Sequence, residues 1–291
     1  MSATSVSPAP PPAAQDGDWR LMDQTARDAA YNNAAAVADS AGWLARWSER
    51  SARLRASRPE LLDVPYGPRP RNRIDILRSG AAGAPLFVFI HGGYWQRNSK
   101  EIFTCMAEGP LARGFDVALP GYTLAPEATL TDIVSETHAA VRFLRRNATG
   151  LGLSCSRLIV SGWSAGGHLA ASCLELPEVD ACLAISGVFE LEPLAHTFLN
   201  AALRLTEQEI ASLSPIRRPP VGAGPATFAW GTQELPELQR QSRAAAAAWS
   251  AAGVACETAP VEGANHFSIL AGLTAPDGAL TAALLALCQR C

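Results

Sequence analysis

From residue 73 onward, short β-rich runs alternate with helix-length stretches, and this alternation limits the fold more than any other feature. The runs fall at 73–77, 86–90, 116–119, 158–161, 181–185, 227–230 and 256–260. Helical stretches are expected at 99–113, 128–147, 165–176, 237–252 and 278–290. Several runs, such as PLFVFI and RLIVSG, are apolar almost throughout, as strands are when both faces of their sheet are covered. Strands that alternate with helices imply an α/β architecture, with a mostly parallel central sheet flanked by helices.

Residues 1–18 are rich in Pro, Ala and Ser and are expected to form a disordered tail. A mostly helical segment should follow from 19 to 57, with Leu44, Trp47 and Leu54 on its buried side. No repeat or linker divides the remainder, so 19–291 is expected to be one domain. Residues 190–220, helix-like and ending in prolines, interrupt the alternation as a cap segment or a surface excursion.

The 291 residues carry a net charge of −3, which leaves no electrostatic footprint for nucleic acid. Of the 24 basic residues only Lys100 is a lysine; the arginines are scattered and mark no binding surface. The seven cysteines are irregularly spaced, and Cys105, Cys173 and Cys182 sit in apolar runs as small hydrophobes. That pattern suits a reducing compartment. With no signal-like start and no membrane-length apolar run, a cytoplasmic protein without membrane partners is expected.

Gly162-Trp-Ser-Ala-Gly166 joins the run at 158–161 to the next helix and leaves few residues for the turn. A G-x-S-x-G elbow makes such a turn by straining the serine backbone, and it lifts the hydroxyl to a helix N-terminus. Ser164 is therefore the candidate nucleophile. A second apolar run enters His91-Gly-Gly-Tyr-Trp95, the pattern of a loop whose N–H groups meet a developing oxyanion. The expected donors are the backbone N–H groups of Gly93, Tyr94 and Ala165, with His91 bracing the loop.

A serine hydroxyl needs a base. His138 precedes the serine in mid-helix, His168 lies one turn beyond it, and His196 falls in the cap segment, where it could touch substrate. His266, in a Gly- and Asn-bearing loop after the last strand, fits both loop position and the order serine, acid, histidine. Two carboxylates follow the run at 227–230. Glu234, in the loop, is preferred as the acid. Glu237 is the alternative, although it opens a helix, where a carboxylate is favourable for local reasons.

These stretches, with SGVFELEPL (186–194), ELPELQRQS (234–242), ANHF (264–267), YNN (31–33) and YGPRPRNRIDIL (66–77), resemble the kynurenine formamidase (arylformamidase) group of α/β-hydrolases, related to the hormone-sensitive-lipase-like esterases. The resemblance implies an α/β-hydrolase fold and a serine hydrolase with Ser164 as nucleophile, Glu234 as acid and His266 as base. Neither metal nor cofactor is implied. The chain departs from the pattern in two places: glutamate replaces the more usual aspartate at 234, and Trp163 stands where His, Asp or Glu often precedes the serine.

The expected reaction is hydrolysis of an aryl formamide such as N-formylkynurenine, a small-molecule substrate, to the amine and formate. Tyr94, Trp95 and His196 are candidate pocket residues, although Tyr94 and Trp95 could equally be core aromatics. A carboxylesterase for short acyl esters uses the same parts, and an inactive hydrolase fold kept as a receptor would need none of them. The oligomeric state stays open, with a homodimer among the options.

Overall fold

A computed structural model describes residues 18–291. The expected tail therefore lies outside the described residues except for Asp18, whose carboxylate caps the first helical turn, Trp19–Leu21.

Eight strands form one sheet: β1 (Val64–Pro65), β2 (Arg73–Leu77), β3 (Leu86–Ile90), β4 (Asp116–Pro120), β5 (Leu158–Trp163), β6 (Ala181–Ile185), β7 (Ala226–Gly231) and β8 (Cys256–Val261). Their order is β1-β2-β4-β3-β5-β6-β7-β8. β2 pairs antiparallel with β1 and β4, and all other pairs are parallel. Every run expected to be a strand is one. β5 extends two residues beyond the expected end at 161, because Gly162 and Trp163 pair with Ala184 and Ile185.

Side-chain alternation divides the core into two layers. On β3, Leu86, Val88 and Ile90 join one layer, while Phe87 and Phe89 join the other. The helix Leu130–Asn147 covers the first layer with Leu130, Ile133, Val134, Thr137, Val141 and Leu144, all buried. That spacing is one face of a 3.6-residue helix. Thr129 and Asp132 start it with a reciprocal capping box.

The second layer is covered from the helices Ser40–Ser57 and Ala279–Cys288. Trp47 is buried there, and Leu44 and Leu54 pack partly buried beside it. Cys105, Cys173 and Cys182 are wholly buried, as their apolar contexts suggest. No helix among the described residues is long and apolar enough to cross a membrane.

The segment 190–220 breaks into short turns and helices, Glu192–His196, Asn200–Leu203, Glu207–Leu213 and Pro215–Arg217. The N-terminal helix Gln24–Ala30 holds it: Gln24 Nε2 donates to His196 O at 2.9 Å, and Asp28 Oδ1 accepts from Phe198 N at 2.8 Å. Gln96, from the loop after β3, donates to Leu199 O at 3.0 Å.

Candidate active site

Adjacent parallel strands bring distant residues to one edge of the sheet. β3 and β5 run in register from Leu86↔Leu158 to Ile90↔Gly162, so the loop after β3 and the turn after β5 emerge side by side. β7 and β8 then deliver the loops bearing Glu234 and His266 to the same carboxyl edge, where open α/β sheets place their ligands.

Ser164 adopts φ 58°, ψ −120° between β5 and the helix Ala165–Cys173. A non-glycine residue there carries strain of about 1–3 kcal/mol. The turn is anchored where Ser164 N donates to Ile185 O at 2.9 Å. The cluster of glycines around Ser164 has a steric cause. A Cβ on Gly162 would fall on Gly166 O, and one on Gly166 would fall on the carbonyl of Ile90. Strand β3, the elbow and the helix thus meet closer than any side chain permits.

The loop after β3 is also strained, with positive φ at Gly93, Tyr94, Trp95 and Asn98. Hydrogen bonds hold it there. Arg97 N donates to Gly93 O at 3.1 Å, Asn98 Nδ2 to Gly92 O at 3.2 Å, and Ala125 N to Trp95 O at 2.8 Å. His91 donates from Nδ1 to Gly92 O at 2.9 Å and stacks on Tyr122, 4.3 Å between centroids. Burial pulls its imidazole down to about 4, so it remains a neutral brace at ordinary pH. Within the described residues, the backbone N–H groups of Gly93, Tyr94 and Ala165 donate to no protein acceptor.

His266 Nδ1 lies 2.7 Å from Glu234 Oε2. A carboxylate only accepts, so Nδ1 carries the proton and Nε2 of the neutral ring is left with a lone pair. Glu234 is buried and receives two further donors on Oε1, Ser186 Oγ at 2.5 Å and Gly231 N at 2.6 Å. Glu237 is elsewhere: it accepts from Tyr31 Oη at 2.6 Å and pairs with Arg240.

Ser164 and His266 border one cavity of about 90 Å³, together with Gly93, Tyr94, Trp163 and Phe267. Two expected pocket residues do not border it. Trp95 is fully buried in the core, edge-on to His168 at 5.0 Å. His196 is exposed and stacks on Trp19, because its turn is held outward by Gln24. Phe198 from the 190–220 segment borders the cavity instead. His138 and His168 are occupied in packing, with Nε2 at 3.1 Å from Ser172 O and 2.8 Å from Leu213 O respectively.

Several contributors lie outside the expected set. Ser186 braces Glu234. Trp163 donates from Nε1 to His266 O at 2.7 Å and lays its ring 4.8 Å from the imidazole. The N-terminal segment supplies Tyr31, Asn32 and Asn33 to the cavity wall. The stretches beginning at Ser186 and Tyr31 already stand out in the sequence, but spacing alone cannot say what they touch. A larger open groove of about 840 Å³, walled by residues such as Arg58, Ile76 and Asp116, lies away from the elbow. Among the described residues, no group of three or more His, Cys, Asp or Glu side chains could hold a metal ion.

Comparison with known proteins agrees with this architecture. Residues 74–176 match the BD-FAE family model. The kynurenine formamidase of Danio rerio is 29% identical over 248 residues, 80% of this chain and 83% of that protein. A structure from Silicibacter sp. TM1040, described as a thioesterase candidate, is 28% identical with a TM-score of 0.79, covering 88% of this chain and 97% of that one. A thermophilic esterase from Thermogutta terrifontis with butyrate bound is 25% identical, with a TM-score of 0.64 and coverage of 78% and 93%. The chain is an α/β-hydrolase that is similar along most of its length to kynurenine formamidases, and it is an enzyme of the serine-hydrolase type.

Proposed function

We propose that the protein hydrolyses an N-formyl aryl amide such as N-formylkynurenine through a Ser164–His266–Glu234 triad. The observation that carries the triad is the 2.7 Å contact of Glu234 with His266, which borders the same cavity as Ser164. Ser164 Oγ attacks the formyl carbon as His266 Nε2 takes its proton, and Glu234 stabilises the imidazolium without accepting that proton. The free N–H groups of Gly93, Tyr94 and Ala165 receive the oxyanion. The C–N bond then breaks, His266 returns the proton to the leaving amine, and water releases formate from the acyl-serine by the same base.

The formyl group is favoured by similarity along most of the chain to kynurenine formamidases. A second reading, short-chain carboxylesterase, is favoured by the likeness to the butyrate-bound esterase. Comparing kcat/KM on N-formylkynurenine and on 4-nitrophenyl acetate separates the two. Deformylation at least as efficient as ester cleavage supports the first reading; negligible deformylation beside rapid ester cleavage overturns it.

A further inference from the structure

Tyr94 belongs to the loop proposed to bind the oxyanion, and its hydroxyl sits between two partners. It lies 2.7 Å from Tyr31 O and 2.9 Å from Asn33 Nδ2. A backbone carbonyl can only accept, so the Tyr94 proton points at Tyr31 and the oxygen must accept from Asn33. That requirement fixes the Asn33 amide: its NH₂ group faces Tyr94, leaving Oδ1 as the remaining atom.

Asn33 is 4% exposed, and its Oδ1 is buried without a hydrogen-bond partner. Among the buried polar atoms left unpartnered in the described residues, it is the one that belongs to the cavity wall. An unpaired buried carbonyl oxygen costs about 1–3 kcal/mol. Rotating the amide would draw the Tyr94 proton to Oδ1 and leave Tyr31 O without its donor. The arrangement is upheld further by Tyr31, whose hydroxyl donates to Glu237 at 2.6 Å and accepts from Gln241 at 3.0 Å. The costly unpaired acceptor thus belongs to a braced residue that borders the same cavity as Ser164.

We propose that Asn33 is a specificity-determining residue whose side-chain carbonyl accepts an N–H from the amine portion of the substrate. The inference rests on the amide-hydrolase reading above and deepens it, because a simple ester offers no such donor. In an amino-acid-bearing aryl formamide the N–H has two sources, the scissile amide and the side-chain ammonium. A site built around one hydrogen bond rejects the ligand that lacks it, since its own polar group is then left unpaired.

The test is equilibrium binding by calorimetry to the Ser164→Ala protein, in which hydrolysis does not interfere. Three ligands are compared: N-formylkynurenine, its analogue methylated on the formamide nitrogen, and its analogue with hydrogen in place of the amino group. We expect one trimmed ligand to bind about ten- to a hundredfold more weakly than the parent, and its identity names the donor. That penalty should vanish when Asn33→Leu is added. Equal binding of all three ligands to the protein carrying Asn33 overturns the inference while leaving the hydrolase reading intact, whatever the folding of the variants. A penalty that persists unchanged in a folded Asn33→Leu protein also overturns it. Failure of all three ligands to bind removes the aryl formamide reading and the inference with it.

Discussion

Replacing Glu234 by Gln changes little in volume but removes the charge that faces the imidazole. In the ground state the carboxylate holds Nδ1–H at 2.7 Å, and Ser186 and Gly231 complete its shell. In the proposed mechanism His266 takes the serine proton, and an imidazolium forms beside a buried anion. With charge centres about 4 Å apart and an effective dielectric of 20, their attraction is about 4 kcal/mol. At 1.36 kcal/mol per decade, that stabilisation is worth about a thousandfold in kcat. The glutamine amide also presents a donor where an acceptor is needed, which favours the wrong tautomer; a loss of about 10³–10⁴ is therefore expected. Steady-state kinetics on the preferred substrate measures it, with Glu237→Gln as the comparison. Glu237 faces Tyr31 and Arg240 rather than the imidazole, so its loss should cost kcat far less. If Glu234→Gln retained kcat within tenfold of wild type, or Glu237→Gln proved the more damaging, the assignment of the acid would be refuted.

Trp163→Phe keeps an aromatic ring against His266 but deletes the indole donor to His266 O. A neutral hydrogen bond of about 1 kcal/mol predicts a several-fold fall in kcat in a protein that is still folded at the assay temperature, and unaltered kcat would deny Trp163 its positioning role. Gly166→Ala should destabilise the fold by about 1–3 kcal/mol in denaturant titration, because its Cβ would meet the Ile90 carbonyl; a neutral effect would contradict the close approach. Burial pulls His91 and His168 down to about 4, whereas the unfolded chain takes up those protons near pH 6.5. Between those values the unfolded state binds more protons, so stability falls as pH drops, by up to about 1.4 kcal/mol per pH unit for each histidine. His168→Leu should flatten that slope between pH 6.5 and 4, and an undiminished slope in its denaturation midpoints would show that His168 is not the titrating group.

The strands and the elbow were legible because their signals are local. PLFVFI and RLIVSG read as buried strands from composition alone, and glycine spacing around Ser164 marked a turn that excludes side chains. His266 and Glu234 followed from chain order within a parallel fold, where each strand delivers its next loop to the same edge. The pocket wall was harder to read. Trp95 and His196 looked suitable by chemistry, yet the backbone after Gly93 turns Trp95 into the core, and Gln24 with Trp19 holds His196 outside. Asn33 and Trp163 show the same limit from the other side. Their hydrogen-bond partners lie 61 and 103 residues away in the chain, a distance over which spacing says nothing.

Covalent capture of the nucleophile tests the central claim most directly. A fluorophosphonate incubated with the native protein, followed by peptide mass spectrometry, should place a single adduct on Ser164, and His266→Gln should slow its formation by orders of magnitude. An adduct on another residue, or none on a protein that still hydrolyses its substrate, would contradict the account.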